Sequence, residues 1–249
     1  MRAVLLAAGR GRRLGSAEPK CLISIDDRTL LARHLANMVA AGISALTIVV
    51  GFEKERIIAA LADLKPGLPV ELVENPRFVH GSIVSLQVAA SRLLDGAVWM
   101  DADVLYPAAL LARLVASPHE NAVLLDGRSE ESGEEMMVGV RAGRAATIAR
   151  RVGLGPDGGD PHAPRWDFAG ESVGFTKVGR EGGRVMKRLL DEEVAAGRLD
   201  QEYEAAMARA FPEVPFGYER VDDFAWTEID FEEDIVKARA LARESSRER

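Results

Sequence analysis

Leu5-Leu6-Ala7-Ala8-Gly9-Arg10-Gly11-Arg12-Arg13-Leu14-Gly15, followed after a short gap by Pro19-Lys20, is the stretch on which the fold turns. An apolar run near the start of the chain stops abruptly at glycines and cations. Residues 3–7 read as a β-strand buried on both faces, because the aliphatic side chains run on without alternation. Such a strand delivers a loop to a phosphate. Glycines let the backbone come close to an anion, and amide groups in the turn point at it. Arginine and lysine add positive charge where the phosphate sits. Gly9, Gly11 and Gly15 are spaced one residue off the dinucleotide fingerprint, so their spacing alone names no ligand. No Walker Gly-Lys-Ser/Thr is present, so the loop is not that of a P-loop NTPase. Arg10, Arg12, Arg13 and Lys20 supply more charge than a diphosphate on a helix N-terminus requires, which favours a nucleoside triphosphate over NAD. The plain alternative is a glycine-rich β–α turn with solvated arginines.

Working outward, apolar segments alternate between strand and helix. Residues 29–41 carry Leu30, Leu31, His34, Leu35, Met38 and Val39 at helical spacing and stop at Gly42. Residues 46–50 and 70–74 read as strands, with a helix over 53–64 between them that stops near Pro66. Residues 75–81 form a loop. Ser82 is expected to cap a helix that runs to Leu93 or Leu94. A fourth strand over 97–100 ends in Asp101-Ala102-Asp103, a helix over 107–115 has Pro107 near its first turn, and a fifth strand covers 122–125. This alternation predicts a parallel, doubly wound sheet over residues 1–126. Ligands of such sheets sit beyond the carboxyl ends of the strands, where both the glycine loop and Asp101-Ala102-Asp103 fall.

The pattern then changes. An acidic loop over 128–135 precedes a hairpin of 136–141 and 145–152 about Gly143. Residues 153–168, rich in Gly, Pro and Asp, read as a long surface loop or lid. A strand over 172–178, helices over 182–196 and 201–211, and a strand over 216–221 lead to Trp226-Thr227-Glu228-Ile229-Asp230. A final helix over 232–243 precedes a polar, frayed tail. With no internal repeat and no clear linker, the second half is expected to complete the domain that the first half begins.

The chain has 249 residues, 47% of them apolar, enough for a sizeable core. A formal charge of −7 with scattered basic residues argues against general nucleic-acid binding. The one cysteine, Cys21, permits neither an intrachain disulfide nor a cysteine zinc cluster. No run approaches the ~18 apolar residues of a membrane span, and no signal peptide is evident, so a soluble cytoplasmic protein is expected. The four histidines, His34, His80, His119 and His162, show no metal spacing.

Residues 5–14 with Pro19-Lys20-Cys21-Leu22 resemble the opening signature of the nucleotidyltransferases that activate sugar and alcohol phosphates. Further blocks match in order: Asn75-Pro76 and residues 81–86, where the base-binding segment falls; Asp101-Ala102-Asp103; Glu134-Glu135-Met136-Met137-Val138; Gly170-Glu171-Ser172-Val173-Gly174-Phe175; and Trp226-Thr227-Glu228-Ile229-Asp230 with Glu233-Asp234. Together they resemble the branch of phosphocholine and aminoalkylphosphonate cytidylyltransferases, over roughly residues 1–241. The resemblance implies an α/β fold, a Rossmann-like three-layer sandwich with a mixed, mainly parallel central sheet. It implies one domain over 1–241, with a nucleotide-binding half (1–126) and an acceptor-binding half (127–241), and a tail over 242–249. It implies that the backbone of Leu6, Ala7, Ala8, Gly9 and Gly11 holds the triphosphate of CTP. Arg10 would neutralise phosphate oxygens, Lys20 would reach the α-phosphate or the incoming phosphate, and Asp103 and Asp230 would hold Mg²⁺.

The chemistry of the residues supports that assignment. Attack of one phosphate on another brings two anions together and needs cations and a metal between them. Mg²⁺ takes oxygen ligands, commonly one or two carboxylates with phosphates and water. Asp101 and Asp103 alternate on a strand end and so are expected on one side, with Asp103 the ligand and Asp101 buried in support. Asp101 also suits a hydrogen-bonded cap of the turn, and Asp230 an N-cap of the final helix. Gly81 and Ser82 are candidates for the nucleotide base: a glycine lets a base lie flat on the backbone, and the hydroxyl can bond its edge. Glu171, Trp226 and Glu228 are candidates for an acceptor pocket, since an aromatic face and carboxylates suit an amine or quaternary ammonium. For Trp226 a place in the core is the alternative. This chain lacks the Asn that relatives often carry near Gly81 and has Met137 where they tend to have Lys; Arg150 or Arg151 are candidate replacements for that cation.

The leading expectation is transfer of CMP from CTP to a small phosphate or phosphonate with release of pyrophosphate. A sugar-1-phosphate enzyme using UTP, dTTP or GTP is the alternative on the same fold. An NAD-binding oxidoreductase would use Glu53 after the second strand, but leaves Lys20 and the paired aspartates without a role. A regulatory domain without activity has no use for Arg10, Lys20, Asp103 and Asp230 together.

Overall fold

The chain alternates strands and helices in the order the sequence predicts for its first half. In the computed structural model, residues 1–15, 18–129, 131, 133–152 and 166–247 are described. The elements are β1 (Arg2–Ala7), β2 (Ser24–Ile25), β3 (Arg28–Thr29), α1 (Leu30–Ala40), β4 (Ala45–Val50), α2 (Lys54–Leu64), β5 (Val70–Glu74) and α3 (Ser82–Val88). They continue with β6 (Ala97–Asp101), β7 (Val104–Leu105), α4 (Ala108–Ala116), β8 (Ala122–Asp126), β9 (Met137–Arg141), β10 (Arg144–Ala149) and β11 (Phe168–Val178). Last come α5 (Arg180–Ala195), α6 (Glu204–Ala210), β12 (Gly217–Arg220), β13 (Thr227–Glu228) and α7 (Glu232–Arg247).

Among the described residues, nine strands from both halves of the chain form one mixed sheet. β5, β4, β1 and β6 lie side by side and parallel. β11 runs antiparallel to β6, β8 and β9, while β12 is parallel to β8 and β10 antiparallel to β9. Seven of the nine strands therefore point one way, with β10 and β11 opposed. The parallel order predicted for residues 1–126 holds. The reversal enters with β11, whose insertion between β6 and β8 separates strands that a purely parallel reading would place together.

The parallel central strands β1, β4 and β6 are mostly apolar because both faces are covered. On β1, Val4 joins one apolar layer and Ala3, Leu5 and Ala7 the other. On β6, Trp99 faces the first layer, and Val98 and Met100 the second. Side chains of α3, α5 and α6 fill the first layer and those of α1, α2 and α4 the second, which makes three layers. A smaller cluster of Ile23, Ile25, Leu30, Leu105, Ile229, Ala238 and Ala242 seats α7 beside the strand ends.

Local chemistry sets several boundaries. Thr29 caps α1, its side chain accepting from the Ala32 amide at 3.1 Å. Ser82 does not cap α3 as expected. The N-cap is Gly81, without a side-chain bond, and the Ser82 hydroxyl accepts instead from the Tyr203 amide at 3.0 Å. The helix expected to run to Leu93 or Leu94 ends at Val88 and gives way to a 3₁₀ turn over Ala90–Leu93. β11 starts earlier than predicted and carries an irregularity between Ser172 and Thr176, where Gly174 takes a φ of +78°. α7 runs to Arg247, so the tail expected to fray is helical over most of its length. The lid reading falls largely on residues 153–165, outside the described residues. No helix among the described residues is long and apolar enough to cross a membrane.

Candidate active site

β1 and β6 are parallel neighbours with Leu6 opposite Asp101, so the glycine loop and the acidic strand end leave the sheet together. A cleft of about 410 Å³ opens above them, lined by the loop at Ala8 and Gly9 and by Asp101, Asp103, Glu171, Glu228 and Asp230. Beyond Asp101 the chain turns into β7, which pairs with β13, and the Ile229 amide donates to the Asp103 carbonyl at 3.0 Å. This short pairing brings the last predicted block, more than a hundred residues away in sequence, against Asp103.

Lys20 closes the arrangement. Pro19 precedes the 3₁₀ turn Lys20–Leu22, and the Lys20 side chain runs under the loop past Gly11. Gly11 has φ +56°, and a Cβ there would lie 2.9 Å from Lys20 Cγ, so the glycine supplies both the turn and the room. Lys20 Nζ donates to Asp103 Oδ2 at 2.8 Å and to Asp230 Oδ1 at 2.5 Å. Arg13 Nη1 donates to Asp230 Oδ2 at 2.9 Å. Burial alone would lower the Lys20 pKa; the charges of and bonds to Asp103 and Asp230 outweigh it, and the ammonium is held more firmly than usual. Burial likewise works against the Asp230 carboxylate, but Lys20 and then Arg13 bring its pKa below the ordinary value. Cys21, next in sequence, is enclosed; burial and then the Asp103 charge push its thiol up to about 12, which leaves it protonated and unreactive.

Asp101 and Asp103 do not act as one pair. Asp103 turns to Lys20, whereas Asp101 Oδ2 accepts from the Tyr203 hydroxyl at 2.7 Å. Enclosure, then the charges of Asp103 and Glu204, hold the Asp101 carboxyl well above the usual range. A Cβ on Gly174 would lie 2.3 Å from Asp101 Oδ2, so the kink in β11 exists to let that carboxyl in. Asp230 does not cap α7. Its own amide and that of Phe231 donate to Asp234 Oδ2, at 2.9 and 2.8 Å, which leaves the Asp230 carboxylate turned to the cleft.

Carboxylate oxygens of Asp103, Glu228 and Asp230 lie within 4.8 Å of one another. An all-oxygen set of this size fits a hard divalent cation. Glu228 opens to solvent at the cleft but is ringed by protein; that enclosure, then the charges of Asp103, Asp230 and Asp101, raise its carboxyl well above the usual range. Like charges held this close are relieved by a cation among them or by a proton on one of them.

The other predicted residues divide. Leu6, Ala8, Gly9, Gly81, Ser82 and Glu171 line the cleft, and Ala7 and Gly11 line the recess that holds Lys20. Glu171 accepts from the Ser129 hydroxyl, and its partial burial raises its pKa despite that bond. Arg10 is exposed at the rim, 5.5 Å from the Phe52 ring centroid, beside Phe78, His80 and Gly81. Trp226 does not line the cleft. It is buried in the second apolar layer, and its indole donates to Asp126 Oδ2 at 2.8 Å. Met137 is buried in β9, while Met136 reaches the cleft. Arg150 reaches it too, bonded to Glu202 and to the Glu134 carbonyl. The side chain of Arg12 lies outside the described residues.

Sequence reasoning missed Asp200, Glu202, Tyr203 and Glu204, all at the cleft. They precede and begin a seven-residue helix with no motif of its own, and only the fold carries them back over β6. Glu204 is buried, and burial pushes its carboxyl up to about 8.

A lysine braced between carboxylates, beside a glycine turn at the strand ends of an α/β sheet, suits the handling of a nucleoside triphosphate. The chain belongs to the family of the MobA-like NTP transferase domain, whose model matches residues 3–158, more than half its length. It is 32% identical over 127 residues to the CMP-5'-(3-aminopropyl)phosphonate synthase of Streptomyces rubellomurinus, over 49% of this chain and 20% of that one. It is 25% identical over 242 residues to the bifunctional IPC transferase and DIPP synthase of Thermococcus kodakarensis, over 96% of this chain and 50% of that one. The chain thus spans between a fifth and a half of the length of these curated relatives. Its fold is that of the CTP:phosphocholine cytidylyltransferase of Streptococcus pneumoniae, with TM-score 0.77 at 19% identity over 97% of this chain and 98% of that one.

Proposed function

We propose that the chain transfers CMP from CTP to a small phosphate or phosphonate that carries an amine or quaternary ammonium. The observation that carries the reading is Lys20 bonded to both Asp103 and Asp230 beneath the glycine loop. The triphosphate lies on the backbone of Leu6, Ala7, Ala8, Gly9 and Gly11, with its base toward Gly81 and Ser82. An oxygen of the acceptor attacks the α-phosphorus in line, the bond from that phosphorus to the β-phosphate oxygen breaks, and pyrophosphate leaves. No covalent enzyme intermediate is needed. Lys20 exchanges a carboxylate partner for a phosphate oxygen and offsets the charge that builds between the two anions, and Arg10 does the same from the rim. Asp103 and Asp230, with Glu228 as a third oxygen donor, would hold Mg²⁺. When bound, that ion neutralises and orients the phosphates.

The cationic acceptor is supported by the far side of the cleft. Glu134, Glu135, Glu171 and Glu202 line it, with Arg150 paired to Glu202 among them. Such a wall favours a ligand with positive charge on its tail and discriminates against a neutral sugar. Its phosphate end meets Lys20 and Arg150.

A panel of the nucleoside triphosphates with Mg²⁺, each paired with phosphocholine, 3-aminopropylphosphonate or a sugar-1-phosphate, tests the reading by pyrophosphate release. Release with CTP and the amine-bearing acceptors is expected. Release confined to sugar-1-phosphates with UTP, dTTP or GTP moves the chain to the alternative substrate class.

A further inference from the structure

The loop between α5 and α6 reaches the cleft at three places. The Gly81 amide donates to the Leu199 carbonyl at 2.9 Å, and the Ile83 amide to the Gln201 carbonyl at 3.3 Å. The Tyr203 amide donates to Ser82 Oγ at 3.0 Å, and His80 Nδ1 lies 2.7 Å from Asp200 Oδ1. The fit leaves no slack: a Cβ on Gly81 would stand 2.0 Å from the Gln201 carbonyl oxygen. Residues 199–203 are thus laced to residues 80–83, about 120 positions away in sequence. The same five residues reach two other places. The Tyr203 hydroxyl bonds Asp101 at 2.7 Å, its ring set edge-on to Trp99 at 6.1 Å. Glu202 pairs with Arg150 after β10.

We infer that residues 199–203 form a strap that couples the two halves of the cleft, with Tyr203 as its positioning residue. On the reading above, the backbone of the strap shapes the nucleotide turn at Gly81 and Ser82 along its whole length, and the Glu202 side chain holds Arg150 on the acceptor side. A ligand that draws Arg150 from Glu202 removes one side-chain anchor of the strap, and the lacing carries that change to the nucleotide turn. Coupling of this kind is reciprocal: the acceptor changes nucleotide affinity by the same factor as the nucleotide changes acceptor affinity. Removing the Tyr203 hydroxyl cuts the link to Asp101 while leaving the ring against Trp99.

The test has two arms. The first is hydrogen exchange on the free protein and needs no substrate. In Tyr203→Phe and in Asp200→Asn, the amides of Gly81 and Ile83 are expected to exchange at least about tenfold faster than in the wild type, while amides of β1 and β4 keep their rates. Wild-type rates at Gly81 and Ile83 in both variants overturn the strap. The second arm measures the KM of CTP at low and at saturating phosphocholine. The wild type is expected to show a severalfold change between the two conditions, and Tyr203→Phe a ratio near one. A merely structural defect raises both KM values and leaves their ratio intact, which contradicts the coupling. If no triphosphate in the panel above releases pyrophosphate, the proposed reaction fails, and the exchange arm still decides the strap.

Discussion

At the scale of single residues, the site is governed by how four or five charges share a small space. Lys20 is the one ammonium bonded to both Asp103 and Asp230 among the described residues. Its replacement by Ala removes the charge that the phosphates meet in the proposed reaction, and with it the ammonium between Asp103 and Asp230. Turnover is expected to fall about 10²–10³-fold or more; near-normal activity of Lys20→Ala in the pyrophosphate assay rejects this assignment. Glu204 makes a different prediction. Its pKa in the fold is about 8 against an ordinary 4.5. The group therefore favours the folded state below about pH 4.5, and that contribution is lost as pH rises through 8. Glu204→Gln, which is neutral at every pH, should match the wild type in thermal stability near pH 4 and exceed it increasingly up to pH 9. A constant difference across that range would show that the carboxyl does not titrate in place.

At the scale of elements, the positioning of the acidic cluster depends on pairings and bonds behind the cleft as well as at it. The β7–β13 pairing carries Glu228 and Asp230 to Asp103, and Trp226 fixes the start of β13 by its bond to Asp126. Arg128 holds Asp126 from the other side, at 2.6 Å. Trp226→Phe keeps most of the apolar contact and leaves Asp126 one donor short. It should cost about 1–3 kcal/mol of stability, read by urea denaturation, with little change in the KM of the acceptor. A variant with wild-type stability and a raised acceptor KM would return Trp226 to the acceptor pocket. The kink of β11 is equally specific. Gly174→Ala places a Cβ into Asp101 at a φ that alanine resists, and should destabilise by about 2 kcal/mol or more. The longer elements of the first half were legible in the sequence because most are apolar runs bounded by Gly or Pro; the two-residue strands β2, β3 and β7 were not. The ends of β1 and β6 pointed to the candidate site, since glycines, cations and aspartates gather there where the apolar runs stop. What stayed hidden was set by tertiary contact. Ser82 looks like a cap but bonds Tyr203; Asp230 looks like a cap but Asp234 takes that task; Trp226 looks like a platform for a ligand but lies in the core. A residue type with two uses is resolved only by its neighbours in space.

At the scale of the molecule, the family match ends at residue 158, yet the cleft is completed by residues beyond it. β11 crosses between β6 and β8, Tyr203 just before α6 bonds Asp101 at the end of β6, and β13 returns to β7, so the later chain supplies Glu171, Tyr203, Glu228 and Asp230 to a cleft that the first half opens. The opening loop and Lys20 are thereby one side of a charge clamp whose other side is Asp103 with Glu228 and Asp230 from the last fifth of the sequence. The proposed reaction rests on that closure and would move the α-phosphorus of CTP to the acceptor. CTP labelled at the α-phosphate, incubated with the protein, Mg²⁺ and 3-aminopropylphosphonate or phosphocholine, is the measurement that reaches it. The label is expected to move into a product that also contains the acceptor, in step with pyrophosphate, and to stay in CTP when Asp103→Ala replaces the wild type. Label that remains in CTP with the wild-type protein, or appears only as free CMP, contradicts the account.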